Sequence, residues 1–421
     1  MNLSTARASK SLLTAYPRFG LFWLARASSS LAFQMQGVAV GWQIYALTHS
    51  TFELGLVGLA EFLPMVLCTL PAGHAADRLD RRTISAISFA AQGAAMAVLA
   101  LGSADGWLTP ADIFGMIAII GASRAFGRPA SQALLPSLVP AEIFPTAIAW
   151  SATVFEMAAI AGPALGGLLY AWSPAGGYFI ASALAFAAAL LFSLIRPEPA
   201  AGERPAPTAS SLFSGIGYIR RNPVILGSIS LDLFAVLLGG ATALLPAYAR
   251  DILKTGAWGL GALRSAPAVG SLAMSVFLTY RPLRRRVGRK MFGAVTVFGL
   301  ATIVFGLSRD FALSMVALAV LGAADMISVI LRSSLVQLQT PDELRGRVSA
   351  VNGLFIGTSN QLGEFESGIT ASWLGIVPAT VLGGVGTVLM VFIWMRLFPP
   401  LAAFDRLEAV GAPSAEPDPA S

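Results

Sequence analysis

The sequence predicts an all-α integral membrane protein of twelve transmembrane helices, arranged as two pseudo-symmetric six-helix bundles. Three observations predict this fold class: the composition, the number of long apolar segments, and a weak repeat between the halves of the chain. Of the 421 residues, 56% are hydrophobic and only 12% are charged, and the mean hydropathy is +0.72. Because soluble domains carry about twice that charged fraction, the composition favours a membrane protein.

The apolar segments are long enough to cross a bilayer. A spanning helix needs about 20 mainly apolar residues, and twelve segments qualify when single polar residues are tolerated. We expect spans one to twelve at approximately 19–46, 54–76, 84–102, 111–135, 142–171, 177–195, 223–248, 257–279, 290–308, 311–335, 346–373 and 377–398.

The distribution of lysine and arginine predicts the orientation. These residues concentrate in the loops 78–82, 196–221, 281–290 and 345–347, whereas the loops on the other side hold only Arg250, Lys254 and Arg309. Cytoplasmic loops carry the excess of positive charge. Both termini are therefore expected in the cytoplasm.

A segment rich in Pro, Ala and charge divides the chain. We expect an N-terminal bundle at 1–195, a cytoplasmic linker at 196–222, a C-terminal bundle at 223–400 and a disordered cytoplasmic tail at 401–421. At an offset of 201 residues, six positions of the first bundle match the second. The pairs are Pro140 and Pro341, Glu142 and Glu343, Ala149 and Ala350, Gly162 and Gly363, Gly167 and Gly368, and Trp172 and Trp373. Related six-helix halves are typical of secondary transporters that rock about a midplane site.

Several classes of site are not expected. The net charge of +6 has no basic stripe with interleaved aromatic residues, so nucleic acid is not an expected partner. The single cysteine, Cys68, excludes a disulfide within the chain, and the two distant histidines do not indicate a metal site. Signatures of hydrolases and nucleotide-binding enzymes are absent. We expect no enzyme activity, no catalytic residues and no cofactor.

The loop after span two reads PAGHAADRLDRRT over residues 71–83. Gly73, Asp77, Arg78, Arg81 and Arg82 resemble the loop signature of the major facilitator superfamily, with Asp80 where that family usually has Gly. The resemblance implies that Asp77 and Arg78 form a cytoplasmic latch between the halves in the outward-open state. Alternatively, the arginines only fix the topology. The equivalent loop of the second half, 284–290, has Arg285 where the Asp would be.

Span five contains AGPALGG at 161–167, similar to the core of the antiporter signature of exporters in this superfamily. Its members here are Gly162, Pro163, Gly166 and Gly167. The resemblance implies efflux, whereas ordinary packing of small residues is the alternative. With residues 123–140 and 339–353, these motifs resemble the subgroup of the bacterial enterobactin exporter and macrolide-efflux proteins.

The resemblance implies a secondary active transporter of the bacterial inner membrane. It would export a bulky amphiphilic molecule, of siderophore or macrolide type, by alternating access and proton antiport. Its expected partners are the substrate, protons and the lipid bilayer, and the protein is expected to be a monomer. One alternative is an importer or facilitator of a small solute. Another is a membrane sensor or scaffold of the same fold that no longer transports.

Ionisable residues inside spans are costly and mark functional positions. The candidates for cavity lining or proton coupling are Arg26, Glu61, Arg124, Glu156, Asp232, Asp325 and Glu364. At 1.5 Å per residue, we place Arg124, Glu156 and Asp325 near the midplane, Arg26 and Asp232 towards the cytoplasm, and Glu61 and Glu364 in the outer half. Because spans one, four, seven and ten line the cavity in this superfamily, Arg26, Arg124, Asp232 and Asp325 are expected there. The alternative is an Arg–Asp pair that only fixes packing.

A nearby arginine lowers the pKa of a carboxyl group and desolvation raises it. A carboxylate without an arginine at its own depth is therefore the better proton carrier. The depths place Arg124 beside Glu156 and leave Asp325, Asp232 and Glu61 as the stronger proton candidates.

Span eleven carries two glutamates, Glu364 and Glu366, which point about 200° apart on a helix. Glu364 shares a polar, small-residue face, so we expect it to face the cavity or span two near Glu61. Glu366 lies on an apolar face and is expected to be a packing residue, either protonated or bonded to a donor on a neighbouring helix.

Overall fold

The computed structural model describes residues 13–195, 209–283 and 285–406, and it is all-helical within these ranges. Each predicted span corresponds to a helix or, for span seven, to a series of short helices. Spans one to six are Pro17–Thr48, Thr51–Arg78, Arg81–Asp105, Pro110–Leu134, Phe144–Trp172 and Pro174–Leu194. Spans eight to twelve are Gly256–Tyr280, Val287–Leu307, Phe311–Leu338, Asp342–Leu374 and Ile376–Leu397. The fold class is confirmed.

Helix caps at the loops set several boundaries. Ser50 accepts a hydrogen bond from the backbone of Glu53 at the start of span two, and Thr109 forms a capping box with Asp112 at the start of span four. Asp310 caps span ten through Leu313. Such side-chain oxygens satisfy backbone N–H groups that the first helical turn leaves unpaired, so each span begins at a defined residue.

Span seven is discontinuous. Pro223–Leu238 ends at Gly239 and Gly240, and a 3₁₀ turn at Ala241–Leu244 leads through Leu245–Ala247 into a π-helical turn at Tyr248–Ile252. Irregular backbone at membrane depth is tolerated where it lies within protein or lines a cavity. The broken half of span seven lies between the two bundles and meets both requirements.

The predicted linker and tail are partly ordered. The helix Ala209–Arg221 occupies the end of the linker, and Tyr218 on it donates a hydrogen bond to the carbonyl of Gln339. At the C-terminus, Leu401 is fully buried, and the carbonyl of Phe404 accepts from Gly288 at 2.9 Å. The prediction of disorder was therefore wrong for residues 401–406. Residues 196–208 and 407–421 lie outside the described part of the chain.

We call the side of the bundle that holds Ala209–Arg221 the linker end, and the opposite side the distal end. Odd-numbered spans start at the linker end. Trp172 and Trp373, which the repeat pairs, both lie at the distal end and are 84% and 79% exposed. Tryptophan is enriched where a bilayer meets water, so these equivalent residues mark the same boundary on the two halves.

By length and composition, nine helices of the described chain are apolar enough to cross a membrane. Spans one, four and eleven fall short of that threshold. Each contributes polar side chains to a central cavity, among them Gln36, Arg124 and Gln361. Their lower hydropathy therefore reflects a face that does not meet lipid.

Candidate functional site

The central cavity lies between the two halves and has a volume of about 290 Å³. It is lined by spans one, two, four and eleven, by the broken half of span seven and by span eight. Five charged residues line it: Glu61, Arg124, Arg128, Arg264 and Glu364. Ionisable groups at this depth are costly unless they pair or meet water, so the cavity is the polar centre of the bundle.

Glu61 and Arg124 form an ion pair across spans two and four. The guanidinium of Arg124 also lies 3.6 Å from the centroid of the Phe33 ring, a cation–π geometry. The depth estimate puts Arg124 at the level of Glu156 and Glu61 further out, whereas the structure joins Arg124 to Glu61. Depth along a helix axis does not say which helix faces which.

Glu364 and Arg264 lie where the halves meet. Arg264 donates a hydrogen bond of 2.6 Å to the carbonyl of Gly37, which joins span eight to span one. A Cβ at Gly58 of span two would lie 2.9 Å from Oε2 of Glu364. Glu364 thus packs against span two, on the face that the sequence indicated.

Glu366 finds its hydrogen-bond donor on its own helix. The hydroxyl of Thr370, one turn further along span eleven, donates to its Oε1 at 2.7 Å. The expected donor on a neighbouring helix is therefore replaced by a local one. The residue does not line the central cavity.

Two glutamine side chains face the cavity with an unused acceptor. Gln36 is only 2% exposed. Neither its Oε1 nor that of Gln361 has a hydrogen-bond partner in the described chain. A buried polar atom without a partner costs roughly 1–3 kcal/mol, which favours water or a ligand at these positions.

A second, smaller cavity of about 100 Å³ adjoins the first on the linker side of the N-terminal half. Arg26, Arg124 and Arg128 line it together with Phe33, Phe89 and Phe155. Arg26 lines this second cavity and is not among the residues of the central one. Glu156 lines neither this cavity nor the central one.

Asp232 and Asp325 do not line the central cavity, although both are expected there; span seven reaches it through its broken half instead. They share a cavity of about 10 Å³ inside the C-terminal half. Asp232 forms a buried ion pair with Arg332, and the two residues are 5% and 3% exposed. A carboxylate that is paired with an arginine is a weaker candidate for the proton carrier. Asp232 and Glu61 are therefore weaker candidates, because each has its own arginine.

The residues of the loop signature interact within the N-terminal half. Arg81 donates to the carbonyl of Ala133 at the end of span four, and Arg82 to that of Ile195 at the end of span six, both at 3.4 Å. Asp80 accepts from Arg82 at 3.0 Å and caps span three. A Cβ at Gly73 would meet nothing within 4 Å. The side chain of Asp77 lies outside the described part of the structure.

The antiporter-like glycines contact two different helices. A Cβ at Gly162 would lie 2.5 Å from Cβ of Gln34, and one at Gly166 would lie 2.8 Å from Cα of Met35, both on span one. Gly167 instead faces span eight of the other half, where a Cβ would lie 2.8 Å from Cα of Gly261. Span five runs through Pro163 as one helix.

In the second half, too, one glycine contacts a helix of its own half and the other contacts a helix of the opposite half. Gly363, the counterpart of Gly162, lies against span seven of its own half. A Cβ added at Gly363 would lie 2.9 Å from the carbonyl oxygen of Val236. Gly368, the counterpart of Gly167, lies against Gly55 on span two of the other half. The repeat therefore places equivalent glycines in equivalent contacts.

These glycine contacts close the distal end. Tyr45 donates a hydrogen bond to Asp251 across the halves, and Arg250 lies 6.0 Å from the Trp42 ring. Towards the linker end, a Cβ at Gly353 or Gly357 of span eleven would meet nothing within 4 Å. The contacts between the halves named here thus lie towards the distal end, whereas Gly353 and Gly357 are not packed against another helix.

Residues 14–417 match the family model described as transmembrane secretion effector. The chain belongs to this family of the major facilitator superfamily. An enterobactin exporter of Citrobacter koseri is 29% identical over 428 residues, which cover 98% of this chain and 100% of that protein. One from Escherichia coli O1:K1 is 29% identical over 399 residues, 92% of this chain and 90% of that protein.

Solved structures of this superfamily share the fold. A bacterial homologue of the human lysosomal transporter Spinster, inward-facing and unoccupied, has a TM-score of 0.70 at 14% identity, covering 91% of this chain and 95% of that one. A D-xylose–proton symporter has a TM-score of 0.67 at 15% identity, covering 90% and 98%. With the family match, these likenesses make the chain a multi-pass membrane transporter.

Sequence reasoning missed several residues of this major facilitator site. Arg128 and Arg264 line the cavity, and Tyr45 and Asp251 join the halves at the distal end. Arg128 and Arg264 are recognisable in the sequence as candidates for a polar cavity, since both are cations inside apolar segments. Tyr45 and Asp251 lie near span ends, where such residues are ordinary. Within the described chain, no cluster of three or more His, Cys, Asp or Glu residues could hold a metal ion.

Proposed function

We propose that the protein exports a bulky amphiphilic molecule, of siderophore or macrolide type, from the bacterial cytoplasm by proton antiport. It works as a monomer in the inner membrane, takes no cofactor and has both termini in the cytoplasm. The observation that carries the proposal is the central cavity, which lies between two related halves that contact each other at the distal end. The names of the relatives support export over uptake.

In this proposal the linker end is cytoplasmic, and the structure corresponds to the inward-open state. The excess of arginine in the linker-side loops supports the assignment. A molecule entering from the cytoplasm meets Arg128, Glu61 and Glu364 before it reaches the closed distal contacts. Rocking of the halves then opens the distal end and closes the linker end.

The loop signature acts in the other state. Arg81 and Arg82 already bind helix ends of the N-terminal half, which holds the loop in place when the linker end is open. Closing that end brings the loop of span two towards span eleven, and Asp77 and Arg78 form the latch there. The antiporter-like glycines Gly162, Pro163, Gly166 and Gly167 let span five slide along spans one and eight.

Proton coupling is assigned to Asp325. It shares a buried cavity with Asp232, whose charge is already balanced by Arg332. Two carboxylates beside one guanidinium leave one excess negative charge, and one proton neutralises it without breaking the ion pair. Asp325 can therefore gain and lose a proton while the packing of spans seven and ten is kept.

The test is transport into inverted membrane vesicles with an imposed pH gradient. Catecholate siderophores and macrolides form the panel, and fluorescence of a pH probe reports proton movement. We expect at least one member to accumulate and to dissipate the gradient, and Asp325→Asn to abolish both effects. The matched control is Glu366→Gln, which neutralises an embedded carboxylate that bonds only within its own helix.

Two results would contradict the proposal. Uptake that only equilibrates the substrate across the membrane, and that does not respond to the imposed pH gradient, indicates a facilitator. If no member of the panel moves, and substitution of Asp77 or Asp325 changes no cellular resistance or secretion, the protein is a non-transporting member of the fold.

A further inference from the structure

We propose that the second cavity is a binding site for the acidic group of an aromatic acid, and that the exported molecule carries such a group. This cavity, lined by Arg26, Arg124, Arg128, Phe33, Phe89 and Phe155, is called the arginine cleft. That the bound molecule is exported rests on the proposed function, whereas the binding site itself does not depend on it.

The charges of the arginine cleft are unbalanced. Three arginines line it, and no carboxylate does. Arg124 is paired with Glu61 on its central-cavity side. Within the described chain, neither Arg26 nor Arg128 forms an ion pair, and the nearest aromatic contact of Arg26 is the Phe22 ring at 5.9 Å. These two guanidinium groups thus have no ion-pair partner of their own, and Glu61, which lines the central cavity with Arg128, is already paired with Arg124.

Cations in that position are unfavourable unless water or an anion compensates them. Guanidinium groups bind carboxylates and other oxyanions through paired hydrogen bonds, and they are the usual protein partners for these groups. Arg26 is half-buried, whereas Arg128 is exposed. An acidic ligand can therefore reach Arg128 first and Arg26 after it.

The rest of the lining accepts a ring. Phe89 and Phe155 face the cleft from spans three and five, and Phe33 already stacks under Arg124. Aromatic side chains prefer offset or edge contacts with a further ring. Ser29, Ser30 and Gln92 add hydroxyl and amide groups, which suit the hydroxyl substituents of an aromatic acid.

The neighbouring central cavity extends the site. It shares Phe33, Gln34, Arg124 and Arg128 with the arginine cleft. Across both cavities the lining holds four arginines and two glutamates, Glu61 and Glu364, so the positive excess persists over the whole space. A bulky molecule with its acidic ring in the cleft has room for its remaining part in the central cavity, beside the unused acceptors of Gln36 and Gln361.

Among the residues that line it in the described chain, the small cavity of the C-terminal half has no excess of positive charge. It holds Asp232 and Asp325 beside a single arginine, Arg332. The two halves therefore have different roles in transport. The N-terminal half binds the anion, and the C-terminal half holds the proton that is exchanged for it.

The experiment measures binding to the purified full chain in nanodiscs of phosphatidylcholine, a lipid without net charge. The probes are 2-naphthoate, its uncharged amide 2-naphthamide and the cation 2-naphthylmethylammonium, with naphthalene fluorescence or calorimetry as readout. We expect naphthoate to bind at least about tenfold more tightly than the other two, since hydrogen bonds to charged groups supply that difference.

Arg26→Gln and Arg128→Gln are each expected to remove most of the preference for the acid, and Arg26→Lys and Arg128→Lys to retain part of it. The matched control is Arg396→Gln, an exposed arginine near the end of span twelve and outside both cavities. Its preference for naphthoate should equal that of the wild type.

The proposal is overturned if naphthamide or the ammonium probe binds the wild type as tightly as naphthoate. It is equally overturned if Arg26→Gln and Arg128→Gln behave like Arg396→Gln. The wild-type comparison needs no variant, so a variant that fails to fold does not remove the test. Acid-selective binding without export in vesicles contradicts the proposed function alone, and export without charge preference contradicts the arginine cleft alone.

Discussion

Gly55 of span two and Gly368 of span eleven lie in backbone contact across the two halves. A Cβ on Gly368 would lie 2.6 Å from the Cα of Gly55, closer than such atoms approach. The equivalent pair, Gly167 and Gly261, makes the same kind of contact between spans five and eight. Two crossings without side chains therefore hold the distal end closed, as small residues do in other membrane helix pairs.

We expect Gly368→Leu to shift the protein towards a state that is open at the distal end, because the added side chain has no space against Gly55. Spin labels at positions 107 and 309, on distal loops of the two halves, would report a longer distance. Cys68→Ser provides the background without cysteine. Gly293→Leu is the control, since a Cβ there meets nothing within 4 Å. An unchanged distance in Gly368→Leu would show that these crossings do not close the distal end.

Tyr45→Phe is expected to shift the same equilibrium by a smaller amount. The substitution removes the hydrogen bond to Asp251 that joins span one to the π-helical turn. A hydrogen bond to a charged group contributes about 1.5–3 kcal/mol, or at least about tenfold in an equilibrium constant. The same labels measure the populations, and Tyr280→Phe, at a tyrosine that is 75% exposed, serves as control. Equal populations in the two variants would count against a role for this bond in closure.

Asp232→Asn should destabilise the C-terminal half. It leaves Arg332, which is 3% exposed, as a buried cation without its ion-pair partner. Breaking a buried pair from one side costs about 3–5 kcal/mol. Thermal unfolding of the purified protein measures the loss. The double variant Asp232→Asn, Arg332→Gln should recover part of it, and a failure to recover would mean that the pair is not the source of the stability.

Asp325→Asn should separate coupling from stability. Because the Asp232–Arg332 pair remains, we expect an unfolding temperature close to that of the wild type and a loss of proton-driven transport. Exchange of substrate without a gradient should persist, which shows that binding survives. Intact proton-driven transport in this variant would exclude Asp325 as the carrier.

The sequence predicted the spans well for a physical reason. In hydrocarbon every backbone N–H and C=O group must be bonded within its own segment, so length and apolarity alone define each helix. Span eight, expected at 257–279, is Gly256–Tyr280, and span twelve, expected at 377–398, is Ile376–Leu397. The break in span seven was not predicted, because its two glycines and Pro246 lie in an otherwise continuous apolar run.

The charged site was predicted only in part. Each embedded charge was visible as a polar residue in an apolar segment, and the polar face of Glu364 followed from helical periodicity. Partners were not visible: Arg124 pairs with Glu61 rather than Glu156, and Asp232 with Arg332. A depth along one helix leaves open which helix lies opposite and which way it is turned.

The sequence by itself determined twelve helices, two related halves and the family, since the bilayer fixes helix length and the repeat survives in Gly162, Gly167, Gly363 and Gly368. The tertiary structure alone decided which glycines meet across the halves, which end is closed, and that three arginines share one cleft. These relations depend on the rotation of each helix about its axis and on its neighbours. Packing between distant segments sets both, and no local pattern records them.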